Sequence, residues 1–151
     1  MTDLPAVRRA ADLPAGGAVY KRTCLWVKPD GKPQYSGDRP GIGYESIVAC
    51  HAPGRSTWNG GGSRGVFIVN KGGDLRTGHQ TQRPLALMEL LVRLFSNQGE
   101  LVLDPLAGSG TTGVAAVRLG RRSLGWEMNA QYVEMASKRL SAAREQLELP
   151  V

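Results

Sequence analysis

The sequence predicts an α/β fold with a mixed sheet. Its second half forms a parallel, right-handed α/β unit, and its first half supplies an antiparallel hairpin. Three observations predict this. From Pro84 onward, apolar patterns alternate in the order helix, strand, helix, strand, helix. A glycine-rich turn joins the first of those strands to its helix. Two apolar runs, 18–28 and 44–51, are separated by turn-forming and polar residues.

Taken in order, residues 4–13 read as a short helix, with Pro5 in its first turn and Gly16-Gly17 past its end. In residues 18–28, Val19, Arg22/Cys24 and Trp26 alternate with polar neighbours, which suggests a strand. Pro29-Asp30-Gly31 is a turn signal, and 31–43 is a polar loop. Residues 44–51 form a strand antiparallel to the first. Residues 53–65 are a glycine-rich loop, 66–70 a short strand and 71–83 another polar loop. Pro84 opens a helix with Leu87, Met88, Leu91, Leu94 and Phe95 on one side, and Asn97-Gln98-Gly99 ends it. Leu101-Val102-Leu103 is an apolar strand of the kind buried in parallel sheets. The next helix runs to Leu119, with Gly120 at C′. Residues 123–126 are a second strand. Asn129 caps a last helix with Val133, Ala136, Leu140, Ala143 and Leu147 as its buried stripe, and Glu134/Lys138 as an i,i+4 pair.

Length and composition restrict the function classes. The 151 residues fit one domain, and 41% hydrophobic with 21% charged residues is a globular composition. No apolar run approaches the roughly 20 residues that span a bilayer. The N-terminus has no secretory pattern, so a cytoplasmic location is expected. Cys24 and Cys50 read as reduced, buried thiols, and without CxxC or HxxxH spacing no metal site is expected. Nineteen Lys+Arg against 13 Asp+Glu give a net charge of +6. All of the excess falls in residues 1–84, which suggests an anionic partner for that part. The chain divides into a basic, loop-rich part, 1–78, and a cofactor-binding α/β part, 79–151, of the same domain.

The sharpest pattern is LVLDPLAGSGTTG, 101–113. Gly108, Gly110 and Gly113 form a G-x-G-x-x-G between strand and helix, where glycines allow a tight turn and close approach of a ligand. Glu127 lies at the end of the next strand, where a carboxylate accepts hydrogen bonds from ribose hydroxyls. No Lys follows the glycines, which excludes a Walker A loop. A nicotinamide dinucleotide stays open, but Asp104 is poorly placed for a pyrophosphate and better suited to a cationic group. S-adenosylmethionine carries an ammonium and a sulfonium and fits better. Glycines used only for close helix–strand packing are the alternative without a ligand.

DPLAGSGTTG at 104–113, followed by GRRSLGWEMN at 120–129, resembles the cofactor segment of DNA amino-methyltransferases, which methylate N6 of adenine or N4 of cytosine. HQTQRPLALMELLVRLF at 79–95 looks like the segment before it in permuted members, with Gln80, Arg83 and Leu106 departing from the usual Pro, Lys and Phe. The resemblance implies a Rossmann-like, S-adenosylmethionine-dependent methyltransferase fold. It implies that the cofactor is held by Asp104, Pro105, Gly108, Ser109, Gly110, Thr111, Thr112 and Glu127. His79, Thr81, Gln82 and Pro84 would help at its methionine end. Residues 18–70 look more loosely like the DNA-facing loops of phage-type relatives, where Arg39, Arg55, Trp58 and Arg64 would meet double-stranded DNA, with Trp58 equally able to pack under its own loop.

The family's catalytic tetrapeptide contains Pro-Pro before an aromatic, and this sequence has no Pro-Pro pair. No residue here is nominated as catalytic. By resemblance the expected fold is therefore incomplete, the 101–104 strand has an open edge, and an upstream segment or second chain completes it. The alternative is a non-catalytic module that binds the cofactor or DNA and partners another chain.

Overall fold

A computed structural model describes residues 17–72 and 82–148. The expected helix at 4–13 lies outside the described residues, as do His79 and Thr81. The chain separates into two compact units. Among the described residues, one holds 17–56 together with Gly61–Lys71, and the other holds Thr57–Gly60, Gly72 and 82–148.

The first unit is a three-stranded sheet in the order β2-β1-β3. β1 (Val19–Val27) runs antiparallel to β2 (Tyr44–His51), as expected, and parallel to β3 (Val66–Ile68). The sheet is therefore mixed. The period-two pattern of β1 turns Cys24 and Trp26 to one face, where both are buried, and Phe67 stands buried beside Trp26 in the β3 register. The Trp26 indole N–H donates to Val69 O at 2.7 Å, which prolongs the β1–β3 pairing past the short β3. Lys28 closes the other side. Its ammonium lies 3.1 Å from Glu45 Oε1 and 5.5 Å from the Trp26 ring centre, so this cation is already committed.

The two cysteines differ. Cys24 is buried, and burial pushes its thiol pKa up, only partly offset by the nearby Arg22 charge. Cys50 is exposed, against expectation. It pairs with the exposed Tyr20 at the end of the hairpin, where an irregularity in register between Tyr20 and Arg22 breaks the alternation that buries Cys24.

The second unit contains α1 (Leu85–Phe95), β4 (Leu101–Asp104), α2 (Thr111–Arg118), β5 (Arg122–Gly125) and α3 (Ala130–Glu148). β4 and β5 are parallel, with Leu103 beside Leu124 and Asp104 beside Gly125. α2 is the central helix and touches α1, α3 and both strands. Its small residues make this possible: Ala115 and Ala116 are fully buried. Val114, Val117 and Ala143 form the core, with Leu85 and Leu140 packed against it.

The predicted ends hold. Gly120 closes α2 with φ +72°, and the Asn129 side-chain oxygen accepts from Gln131 N at 2.9 Å at the start of α3. The end of α1 has a stop that local sequence did not suggest. Asn59, distant in sequence, donates its backbone N–H to Leu94 O and its amide to the carbonyls of Arg93 and Ser96. Arg121 adds a guanidinium bond to Ser96 O at 2.7 Å.

Two burial expectations fail. Leu101 and Leu103 are 50% and 55% exposed, not buried. Among the described residues β4 pairs only with β5, and one face of this two-stranded sheet carries Leu101, Leu103 and Leu124 into solvent. On α3, Val133 and Leu147 are exposed, because the stripe that meets α2 is Ala136, Leu140 and Ala143. Among the described residues no helix is long and apolar enough to cross a membrane.

The thiol environments are directly testable. At pH 8 an aromatic disulfide reagent should titrate one thiol per native chain, Cys50, and two after denaturation. Equal reaction of both in the native protein would contradict the burial of Cys24.

Candidate functional site

The site is built where β4 and β5 end side by side. β4 delivers Asp104, whose Oδ1 accepts from Leu106 N at 3.1 Å. Among the described residues its Oδ2 has no hydrogen-bond partner. β5 leads to Glu127, whose Oε2 accepts from Gly108 N at 2.9 Å and whose Oε1 accepts from Asn129 N at 2.8 Å. This carboxylate therefore ties the glycine turn after β4 to the loop after β5. Ala107 N adds a bond to Trp126 O at 2.8 Å, and Gly110 N closes the turn on Ala107 O at 2.8 Å.

The glycines carry different tasks. Gly108 (φ +53°) turns the chain so that its N–H reaches Glu127. Gly110 (φ +77°) lies against α3, and a Cβ there would stand 2.8 Å from Ala136 Cβ. A Cβ on Gly113 would be 3.1 Å from Leu140 Cδ2. Two of the three glycines thus serve close packing, with α3 as the partner. The hydroxyls of Ser109 and Thr111 also turn inward. Both residues are buried, and the Arg139 guanidinium donates to Ser109 O at 2.6 Å and to Ser109 Oγ and Thr111 Oγ1 at 3.1 Å.

A cleft of about 140 Å³ is lined by Asp104, Ala107, Gly110, Thr112, Gly125 and Glu127, and its wall continues to Val102 and Leu140. Leu106 and Met128, one from each loop, are strongly exposed. The structure thus brings Asp104, Gly110, Thr112 and Glu127 to one cleft. Pro105 is exposed in the turn. Gln82 and the buried Pro84 lead into α1 in the same unit and do not line the cleft. No three His, Cys, Asp or Glu side chains among the described residues group to hold a metal ion.

The predicted DNA-facing residues divide between the units. Arg39, Arg55 and Arg64 are exposed on loops of the first unit, Arg39 lying 3.9 Å from Asp38. Trp58 belongs to the second unit and packs its ring on Phe95 of α1, with centroids 5.2 Å apart. Sequence reasoning missed Arg139 and Asn59. Only the i, i+3, i+4 spacing of Ala136, Arg139 and Leu140 hinted at the first.

A glycine turn between parallel strand and helix, with carboxylates at two adjacent strand ends, defines a Rossmann-like nucleoside-cofactor unit. The chain matches the DNA methylase family of the N6/N4 type over residues 7–138 and belongs to it. It is 46% identical over 65 residues to the DNA adenine methyltransferase YhdJ of Escherichia coli, covering 43% of this chain and 22% of that protein. It is 46% identical over 67 residues to the type II methyltransferase M2.DpnII of Streptococcus pneumoniae, covering 44% of this chain and 25% of that protein. These matched stretches thus span about a quarter of the curated relatives' length. Among solved structures, the M1.HpyAVI–SAM complex superposes with a TM-score of 0.80 at 32% identity, over 92% of this chain and 71% of that one. The fold is that of the S-adenosylmethionine-dependent methyltransferases.

Gly110 and Gly120 share nearly the same φ but not the same space, since a Cβ on Gly120 would meet only Gln98 at 3.9 Å. Gly120→Ala should cost roughly 1 kcal/mol, the strain of a left-handed alanine. Gly110→Ala should cost roughly 2–4 kcal/mol, because overpacking adds to that strain. Urea unfolding of both variants checks the order, and equal losses would contradict the Ala136 contact.

Proposed function

We propose that this chain is the cofactor-binding and DNA-contacting part of a DNA methyltransferase. Its cofactor is S-adenosylmethionine, and its substrate is the exocyclic amino group of adenine or cytosine in double-stranded DNA. The observation that carries this reading is Asp104, held by Leu106 N through one oxygen and without a bond on the other, beside Glu127 at the next strand end. The donor set suits the group. A carboxylate with an available oxygen matches an ammonium, and a second carboxylate at the next strand end matches a ribose diol. A pyrophosphate would instead meet two negative charges. The amides of Ser109 and Thr111 make no hydrogen bond among the described residues, but both residues are buried and neither lines the cleft.

When bound, S-adenosylmethionine supplies an electrophilic methyl. The residues of this chain orient it: Asp104 takes the cationic end, Glu127 holds the ribose end, and the glycine turn sets their separation. Arg55 and Arg64, exposed in the first unit, would neutralise backbone phosphates. Arg39 and Trp58 are weaker candidates, since each already has a partner in Asp38 or Phe95. A chain acting on bacterial DNA would work in the cytoplasm.

The second reading is a non-catalytic module that binds the cofactor or DNA and partners another chain. Transfer of radiolabelled methyl to duplex DNA by the purified chain alone would exclude that reading.

Two measurements test the site. Asp104→Asn should weaken S-adenosylmethionine roughly 10- to 100-fold, the loss of one charged hydrogen bond, and Asp104→Ala should weaken it further. Calorimetric titration, with circular dichroism to confirm folding, checks this, and unchanged affinity removes Asp104 from the site. Changing Arg55 and Arg64 together to Ala should weaken DNA binding. The slope of log K against log salt should flatten by about 0.9 for each phosphate no longer neutralised. An unaltered slope would exclude both arginines as phosphate ligands.

A further inference from the structure

We propose that Arg139 is a positioning residue for the cofactor turn, acting from beneath it. The proposal rests on the S-adenosylmethionine reading of the site.

α3 packs directly against the turn. Residues spaced three and four apart lie on one helix face. Ala136, Arg139 and Leu140 are such a set, and each meets a different part of the turn. Ala136 is small enough to admit Gly110, and Leu140 packs near Gly113. Arg139 lies between them and places three hydrogen bonds on Ser109 and Thr111 through one nitrogen, Nη1.

A cation beside the first turn of a helix opposes the helix dipole, so Arg139 does not serve α2 as a capping charge. Its contacts instead fix the turn. The Ser109–Gly110 peptide is held from both sides, its carbonyl by Arg139 and its N–H by Ala107 O. The hydroxyls of Ser109 and Thr111 are drawn inward as well, so the backbone is fixed on both sides of Gly110, which lines the cleft. A flexible turn would have to order on binding, and that ordering would reduce affinity. Arg139 removes this cost beforehand. Lysine has a single-point ammonium without the planar fork, and it is a poor replacement for a group that must serve several acceptors.

The test uses the full chain and three variants, Arg139→Ala, Arg139→Lys and, as a control on the exposed part of α3, Arg144→Ala. Amide hydrogen exchange without ligand reads the turn itself. Exchange at Ser109–Gly113 should speed up at least tenfold in Arg139→Ala, with the α1 amides unchanged and Arg144→Ala like wild type. Calorimetric titration with S-adenosylmethionine should show affinity reduced at least tenfold in Arg139→Ala and less in Arg139→Lys. Added ethylguanidinium should restore part of the loss in Arg139→Ala, which a general loss of stability would not allow. If Arg139→Ala does not fold, Arg139→Lys decides by the same exchange and titration measurements. Wild-type exchange at the turn, or wild-type affinity in the folded variants, overturns the proposal. If the wild-type chain itself binds no S-adenosylmethionine, the cofactor reading fails, while the exchange measurement still judges Arg139 as the brace.

Discussion

The approach of the glycine turn to α3 is the constraint on which the second unit depends. Gly110 lies where no Cβ fits against Ala136, and Gly113 lies where a Cβ would crowd Leu140. These contacts set the distance between α2 and α3. Ala115 and Ala116 of α2 are completely buried. The same distance brings Arg139 within reach of Ser109 and Thr111. The carboxylates at the strand ends are then held by what surrounds them, Asp104 by Leu106 and Glu127 by Gly108 and Asn129. The site is pre-arranged by packing and backbone bonds before any ligand enters.

Glu127 shows how one side chain can tie two loops together. Its two oxygens bridge the loops that follow β4 and β5, so the carboxylate has a fixed orientation. Asp104 is different. It has one local bond and one oxygen without a partner among the described residues. The asymmetry separates a carboxylate fixed through both oxygens from one fixed through a single oxygen, and the proposed role of Asp104 rests on that difference.

Much of the second unit was legible in the sequence because its signals are local. The strand before the glycines, Gly120 after α2 and Asn129 before α3 each act within a few residues, and each was found where expected. What failed depended on distant partners. The exposure of Leu101 and Leu103 follows from which strands lie beside β4, and a run of three apolar residues cannot report that. Cys50 is exposed because of its pairing with Tyr20 near an irregular register. The cap that Asn59 places on α1, some 35 residues further on, was not foreseen, whereas Trp58 takes the packed of its two expected roles, on Phe95. The Arg139 bonds span about 30 residues and leave no compositional trace.

The charge asymmetry becomes more selective once partners are known. The basic excess lies in residues 1–84, but its cations are not equivalent. Lys28 is nearly buried against Glu45 and Trp26, and Arg39 is near Asp38. Arg55 and Arg64 are exposed, with no ion pair among the described residues. An anionic polymer gains most from cations that surrender no existing partner on contact, because displacing an ion pair offsets part of the new attraction. The net charge of the sequence therefore overstates the number of groups ready for phosphates. For the proposed contact with DNA, the cations without an ion pair among the described residues are Arg55 and Arg64, which flank in sequence the residues Trp58 and Asn59 that are secured to α1.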